Sequence, residues 1–464
     1  MNDVVVLDAE VEGRRVDIEV VGERIAAVVP ARPGARRSAP VAIEASGGAA
    51  VPGLHDHHIH LLALAAARSS VPAGPPALRT AGELVTALRA AHATLPPGAW
   101  LRATGYHESV AGDIDGAWLD AAVADRPVRV QHRSGAAWIL NGAAATATGL
   151  QRGPAGVERD GQGRATGRLF GGDDWLRRHV PAVALDLDAV GAELASYGVT
   201  AVTDATPMTI GTDADLLAAA SLPVGVVLTG GPALPVAAGA GLERGPVKLL
   251  PADHALPALA DLVAGMAAAR HQGRAVAVHC VTRAGLVLAL AAWEEVGTVA
   301  GDRIEHGAVI PLDLVGRIRE LDLTVVTQPG FVAERGDDYL ADVDREDQPD
   351  LWRCGSLLAA GVAVGAGTDA PFGSPDPWAA IAAAVDRRTP AGHVLGAGER
   401  VGATAALELF LAPLSRPGGA PRRIEPGARA DLCVLDRPLS GALVAPSCRH
   451  VVATVVGGRV SYRA

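Results

Sequence analysis

At 464 residues, about half of them apolar, the chain is long enough for one large core plus a smaller domain. A net charge of −10 and an isoelectric point near 5.8 argue against a nucleic-acid partner, since no basic stripe is present to neutralise phosphates. Mean hydropathy is positive at +0.24, but Ala and Val raise it. Charges interrupt every apolar stretch well short of the ~20 residues a membrane span needs, so no membrane partner is expected.

The chain begins MNDVVVLDAEVEG, alternating and acidic, without the basic start and apolar stretch of a secretory leader. Residues 1–50 read as short strands, with β-branched alternation broken by Gly and Pro. The C-terminal segments ADLCVLD and HVVATVVGGRVSYR read the same way. Neither end has enough strands for a stable sheet alone. The expectation is therefore a composite β-sandwich of residues 1–50 and 413–464, entered through the Pro/Gly-rich stretch 413–426.

Between them, residues 51–412 repeat an apolar strand followed by a helix. Strands are predicted to end near His60, Asp204, Leu228, Leu250, His279, His306, Gln328 and Asp369. Helical stretches such as LADLVAGMAAARHQG and GLVLALAAWEEVG close near a glycine. Eight such strands predict an α/β fold, a (β/α)8 TIM-like barrel, with a doubly wound sheet as the alternative. The interval 61–196 is too long for one helix and carries strand signals of its own (WLRATGY, PVRVQHR). It reads as an insertion after the first barrel strand, one expected to cover part of the site.

The chemistry begins with VPGLHDHHIH, residues 51–60. Alternation in a strand puts Asp56, His58 and His60 on one face and His57 and Ile59 on the other. Two imidazoles two residues apart can reach one metal, which a lone histidine would not suggest. His279, His306 and Asp369 follow at the ends of later strands, where catalytic groups of barrels collect. Each alone could be a core histidine or a helix cap; together they make a set of four His and one Asp. His92, His179, His271, His393 and His450 are assigned to the surface. Cys280, Cys354, Cys433 and Cys448 show no CxxC spacing and read as reduced, mostly buried thiols of a cytoplasmic protein.

These pieces, in this order, resemble the amidohydrolase superfamily and within it the amidohydrolase-3 (YtcJ-like) group. The likeness rests on VPGLHDHHIH for a Pro-Gly-x-x-Asp-x-His-x-His signature, then PVKLL, VAVHC, RIEHG, GTDAP with a later PDP, and PGARADLCVLD. It implies metal roles for His58, His60, Lys248, His279, His306 and Asp369. It also implies one or two divalent ions, zinc expected, and a CO2-derived carbamate on Lys248. That lysine is the only one among 41 Lys plus Arg. A carbamate needs a neutral amine, which arginine cannot supply. The alternative is an inward lysine paired with an acid such as Asp253.

The implied activity is hydrolysis of an amide, cyclic amide or carbamate-like C–N bond in a small molecule. The attacking water is acidified toward pKa ~7 by the bound ion. Asp369 takes its proton and passes it to the leaving group, and His306 helps polarise the carbonyl. Arg133, His254, Arg335 and Tyr339 are the loop candidates for substrate recognition. The rivals are a mononuclear deaminase of an amino-heterocycle, and a non-hydrolytic member, an isomerase or a metal-containing binding protein. A homodimer is a further expectation. The sequence departs from the group at 133–141, where Ser134 and Ala136 stand for an acid and a histidine. It departs again at Asp253-His254 and at Thr282-Arg283. These changes spare the metal set and leave the substrate open.

Overall fold

The computed structural model describes residues 4–31, 40–182, 185–207, 211–234 and 242–464. The chain divides into two compact units, one of Met1–Leu61 with Leu187–Ala464, the other of Leu62–Asp186.

In the first unit, the alternating N-terminal residues form Val4–Val11, Arg14–Val21 and Arg24–Pro30, paired antiparallel, with Val41–Glu44 parallel to the first. The turn between the first two strands has Glu12 at φ 48° and Gly13 at φ 75°. Two successive positive φ values are what a tight two-residue hairpin requires. A second antiparallel sheet joins Ala50–Pro52 to Leu432–Leu435, Val451–Val456 and Arg459–Arg463. Val6, Ile18 and Ile25 from one chain end share a core with Leu432, Val434 and Val455 from the other. Each sheet thus buries its apolar face against residues more than 400 positions away.

The same unit holds two parallel sheets. One has the order Leu242–Arg244, Gly225–Leu228, Val199–Asp204, Leu54–Ile59. The other runs Val247–Leu249, Val276–Cys280, Arg303–His306, Thr324–Thr327, Ala363–Ala366. All eight strands expected from the sequence are present, ending within three residues of the expected positions. Leu54–Ile59 and Val199–Asp204 are buried throughout, as strands of a parallel sheet covered on both faces are. Helices lie between many of them, among them Leu259–His271 and Arg283–Val296. The Thr282 side chain caps the latter, accepting from Gly285 N at 3.1 Å, which satisfies a donor the helix leaves open. Backbone hydrogen bonds also run between the two sheets, from Asp369 N to His58 O (2.7 Å), His60 N to Ala370 O (2.9 Å) and Lys248 N to Gly230 O (2.9 Å).

One buried network in this unit makes a direct stability test. Glu399 accepts from Arg353 Nη1 at 2.5 Å and from the backbone N of Cys354 and Ser356 at 3.1 and 2.9 Å. Losing Glu399 leaves Arg353 its second acid, Asp350, but takes the acceptor from the buried backbone N–H groups of Cys354 and Ser356, each worth about 1–3 kcal/mol when left unsatisfied. Glu399→Ala is therefore expected to cost about 2–4 kcal/mol in urea unfolding; a loss within ~0.5 kcal/mol would mean that the network is dispensable.

The second unit has its own sheet, in the order Val157–Arg159, Ala165–Phe170, Ala137–Leu140, Val128–His132, Leu101–Tyr106, Val71–Pro72. Its core gathers Leu84, Leu88, Leu101, Val128 and Val130. The helix Ala81–Thr94 opens with a capping box between Thr80 and Glu83. The helix Leu187–Ser196, which the sequence placed in the insertion, falls outside this unit.

All four cysteines are free, three buried and Cys448 half-buried. Two histidines expected at the surface are only partly exposed. His450 is mostly enclosed and faces Asp436 at 3.2 Å. His92 is half-buried and accepts from Arg126 Nε at 3.2 Å. Among the described residues no helix is long and apolar enough to cross a membrane.

Candidate metal centre

The strand Leu54–Ile59 is fixed before it presents any ligand. Asp56 accepts from Thr368 Oγ1 (2.5 Å), Thr368 N (3.1 Å) and His58 N (3.0 Å). Burial pushes its carboxyl up to about 7 against these hydrogen bonds. Asp56 therefore ties the first strand to the residue next to Asp369, and its oxygens are committed to that tie.

His58, His306 and Asp369 each offer one donor atom, and these atoms lie within 4.8 Å of one another, all buried. Asp369 Oδ1 is 3.4 Å from His58 Nε2 and 3.1 Å from His60 Nε2. Among the described residues His58 Nε2 has no hydrogen-bond partner, and Asp369 Oδ1 none besides the approach of His60. His279 completes the row of rings, its centroid 4.6 Å from that of His306. Its Nε2 also approaches Asp253 Oδ2 at 3.7 Å.

Two of these residues sit in the left-handed backbone region, His306 at φ 69° and Asp369 at φ 56°. Non-glycine residues enter that region at a cost, and they collect at functional sites. At His306 the turn has a geometric result. Strand alternation would send Glu305 and His306 to opposite faces. Instead the Glu305 carboxylate hydrogen-bonds His58 Nδ1 while the His306 ring centroid lies 4.6 Å from that of His58.

The protonation pattern suits a cation. Burial, with the Lys248 charge, lowers His58 to about 4 in spite of Glu305 and Asp369. Burial, with the neighbouring histidines, likewise holds His306 well below its ordinary value. Burial alone would raise Asp369, but His58, His60 and His306 outweigh it and keep the carboxyl far below the usual range. Neutral imidazoles beside an ionised carboxylate are the forms that bind a metal. Buried polar atoms are rarely left unpaired, and His58 Nε2 and Asp369 Oδ1 are two such atoms 3.4 Å apart. The residues present fit a divalent ion.

Lys248 is 5 % exposed and its Nζ has no hydrogen-bond partner among the described residues. Burial pushes its ammonium down, although Glu305 and Asp369 pull the other way. The alternative pairing with Asp253 is not found. That acid instead accepts from Thr282 Oγ1 at 2.8 Å and faces His279.

Of the recognition candidates, Arg335 and Tyr339 lie on the helix Gly330–Asp342, not on a loop. Arg335 donates to Phe372 O and stacks over Phe331, 4.7 Å from the ring centroid. Tyr339 packs on Trp352. His254 is exposed in a turn. Arg133 belongs to the second unit, with Nη2 2.7 Å from His107 Nε2.

Four residues at the centre were not singled out from the sequence: Arg303, Glu305, Thr206 and Gln328. Thr206 Oγ1 lies 2.9 Å from His60 Nδ1, and Gln328 Oε1 lies 2.9 Å from His306 Nδ1. Arg303 and Glu305 stand inside RIEHG and Gln328 at a predicted strand end, so a strand-end polar residue was the available signal.

A parallel α/β unit with a buried His-His-Asp group defines a metal-dependent hydrolase in architecture, and comparison with known proteins agrees. Residues 41–462 match the profile of the amidohydrolase family, and the chain belongs to that family. It is similar to the N-substituted formamide deformylase of Arthrobacter pascens, 27% identical over 541 aligned positions, covering 100% of this chain and 98% of that one. Among solved structures it resembles an uncharacterized metal-dependent hydrolase from Pyrococcus horikoshii (19% identity, TM-score 0.73, 94% of this chain and 97% of that one). A second, from Pyrococcus furiosus, is 21% identical with a TM-score of 0.69, covering 94% and 99%.

Proposed function

We propose that this amidohydrolase cleaves the C–N bond of a small amide, cyclic amide or carbamate-like substrate with an activated water. The observation that carries the reading is the position of Asp369 Oδ1, buried and 3.4 and 3.1 Å from two histidine Nε2 atoms. His58, His60, His279, His306 and Asp369 are the residues that would hold the ion, zinc by its nitrogen-rich donor set. The parallel sheets that carry them are read as one closed (β/α)8 barrel, which the hydrogen bonds between Asp369 and His58 and between Lys248 and Gly230 support.

A divalent ion here supplies Lewis acidity and brings the pKa of a water toward ~7. The remaining work belongs to the side chains. Asp369, ionised at neutral pH, takes the proton of the attacking water and delivers it to the leaving nitrogen. His306, its Nδ1 held by Gln328 Oε1, would present Nε2 as a ligand and so act on the carbonyl through the ion's Lewis acidity. Lys248 would join the ligand set as a carbamate. Its neutral amine adds CO2 and releases a proton, and burial without a partner favours that neutral form. The deformylase relative makes N-substituted formamides the first substrates to test, in a cytoplasmic setting with no nucleic-acid or membrane partner required.

The test is metal content followed by turnover. Purified protein is expected to carry about one to two equivalents of divalent metal. Dialysis against a chelator should abolish hydrolysis of N-formyl amines, and zinc should restore it. Fully active, folded, metal-free protein would sink the reading.

A further inference from the structure

The three histidines around Asp369 are not supported alike. His60 Nδ1 rests on the Thr206 hydroxyl and His306 Nδ1 on the Gln328 amide oxygen, both at 2.9 Å and both neutral. His58 Nδ1 rests on the Glu305 carboxylate. Glu305 is fully buried, and both of its oxygens are used. Oε2 takes the His58 ring and Oε1 accepts from Arg303 Nε at 2.6 Å. Arg303 is itself only 2% exposed. A buried ionised acid is expensive to keep, and an Arg–Glu pair made for stability alone has no need of the imidazole.

We propose that Glu305, anchored by Arg303, is a positioning residue that fixes the His58 ring with its proton on Nδ1 and strengthens Nε2 as a donor. It makes His58 the dominant anchor of the metal centre. This rests on the reading of His58 as a ligand. Charge-assisted hydrogen bonds are roughly twice as strong as neutral ones, and outer partners of metal-bound histidines typically govern 10–100-fold in affinity. The supports therefore rank, with Glu305 above Thr206.

The experiment is zinc affinity, read by competition with a chromogenic chelator well below the melting temperature, alongside melting of the metal-free protein. Glu305→Gln keeps size and an acceptor but removes the charge, and should weaken zinc about 10–100-fold. Thr206→Val should weaken it less. Glu305→Gln leaves Arg303 uncompensated and should also melt earlier. The double variant Arg303→Gln/Glu305→Gln removes both charges. It is expected to regain melting temperature while keeping the affinity loss. Wild-type affinity in Glu305→Gln, or affinity restored with stability in the double variant, would overturn the positioning role and leave the metal reading standing. Wild-type protein that binds no zinc would overturn both.

Discussion

Asp369→Asn protein is expected to fold, and to turn over about 10²–10⁴-fold more slowly than wild type. The substitution isolates the chemistry unusually well. The backbone ties at this position, Asp369 N to His58 O and Phe372 N to Asp369 O, do not involve the side chain. Asparagine tolerates the left-handed conformation found at φ 56°. What is lost is the ionised oxygen placed 3.4 and 3.1 Å from His58 and His60. Steady-state kinetics with a folded-state check by circular dichroism reads the outcome. Wild-type turnover would remove Asp369 from proton transfer.

The second large effect is expected at Lys248. Lys248→Arg should lose about one equivalent of metal relative to wild type and most of the activity, because the guanidinium stays charged and cannot form a carbamate. Lys248→Met sharpens the comparison. The native amine is buried without a hydrogen-bond partner among the described residues, and desolvation of such a group opposes folding. Metal-free Lys248→Met should therefore melt no lower than metal-free wild type, although it too loses metal and turnover. Unchanged metal content in both variants would show that the lysine is not a ligand.

The proposed ligands were more legible in the sequence than the residues that hold them. His58 and His60 stand out because a strand alternates, and His279, His306 and Asp369 because apolar runs end at them. The parallel strands were legible for a related reason: buried on both faces, they read as unbroken apolar stretches. Glu305, Thr206 and Gln328 stayed hidden because their partners lie across strands, up to 247 residues away. Glu305 was further masked by its neighbour. Alternation would part consecutive residues, yet Glu305 hydrogen-bonds His58 and the His306 ring lies 4.6 Å from it, and no periodicity announces the positive φ at His306. Arg335 and Tyr339 were read as loop residues, yet both lie on a helix, the Tyr339 ring against Trp352.

The left-handed conformations at His306 and Asp369 also bear on how this protein could be improved. Each non-glycine residue in that region costs the native state on the order of 1–3 kcal/mol, a strain glycine would not feel. A search for heat-resistant variants that scores only melting would thus be drawn toward glycine at 306 and 369. It would enrich proteins stripped of two of the proposed ligands. Selection for durability and selection for catalysis pull in opposite directions at these two positions, so a stabilisation campaign on this chain should hold both fixed from the outset.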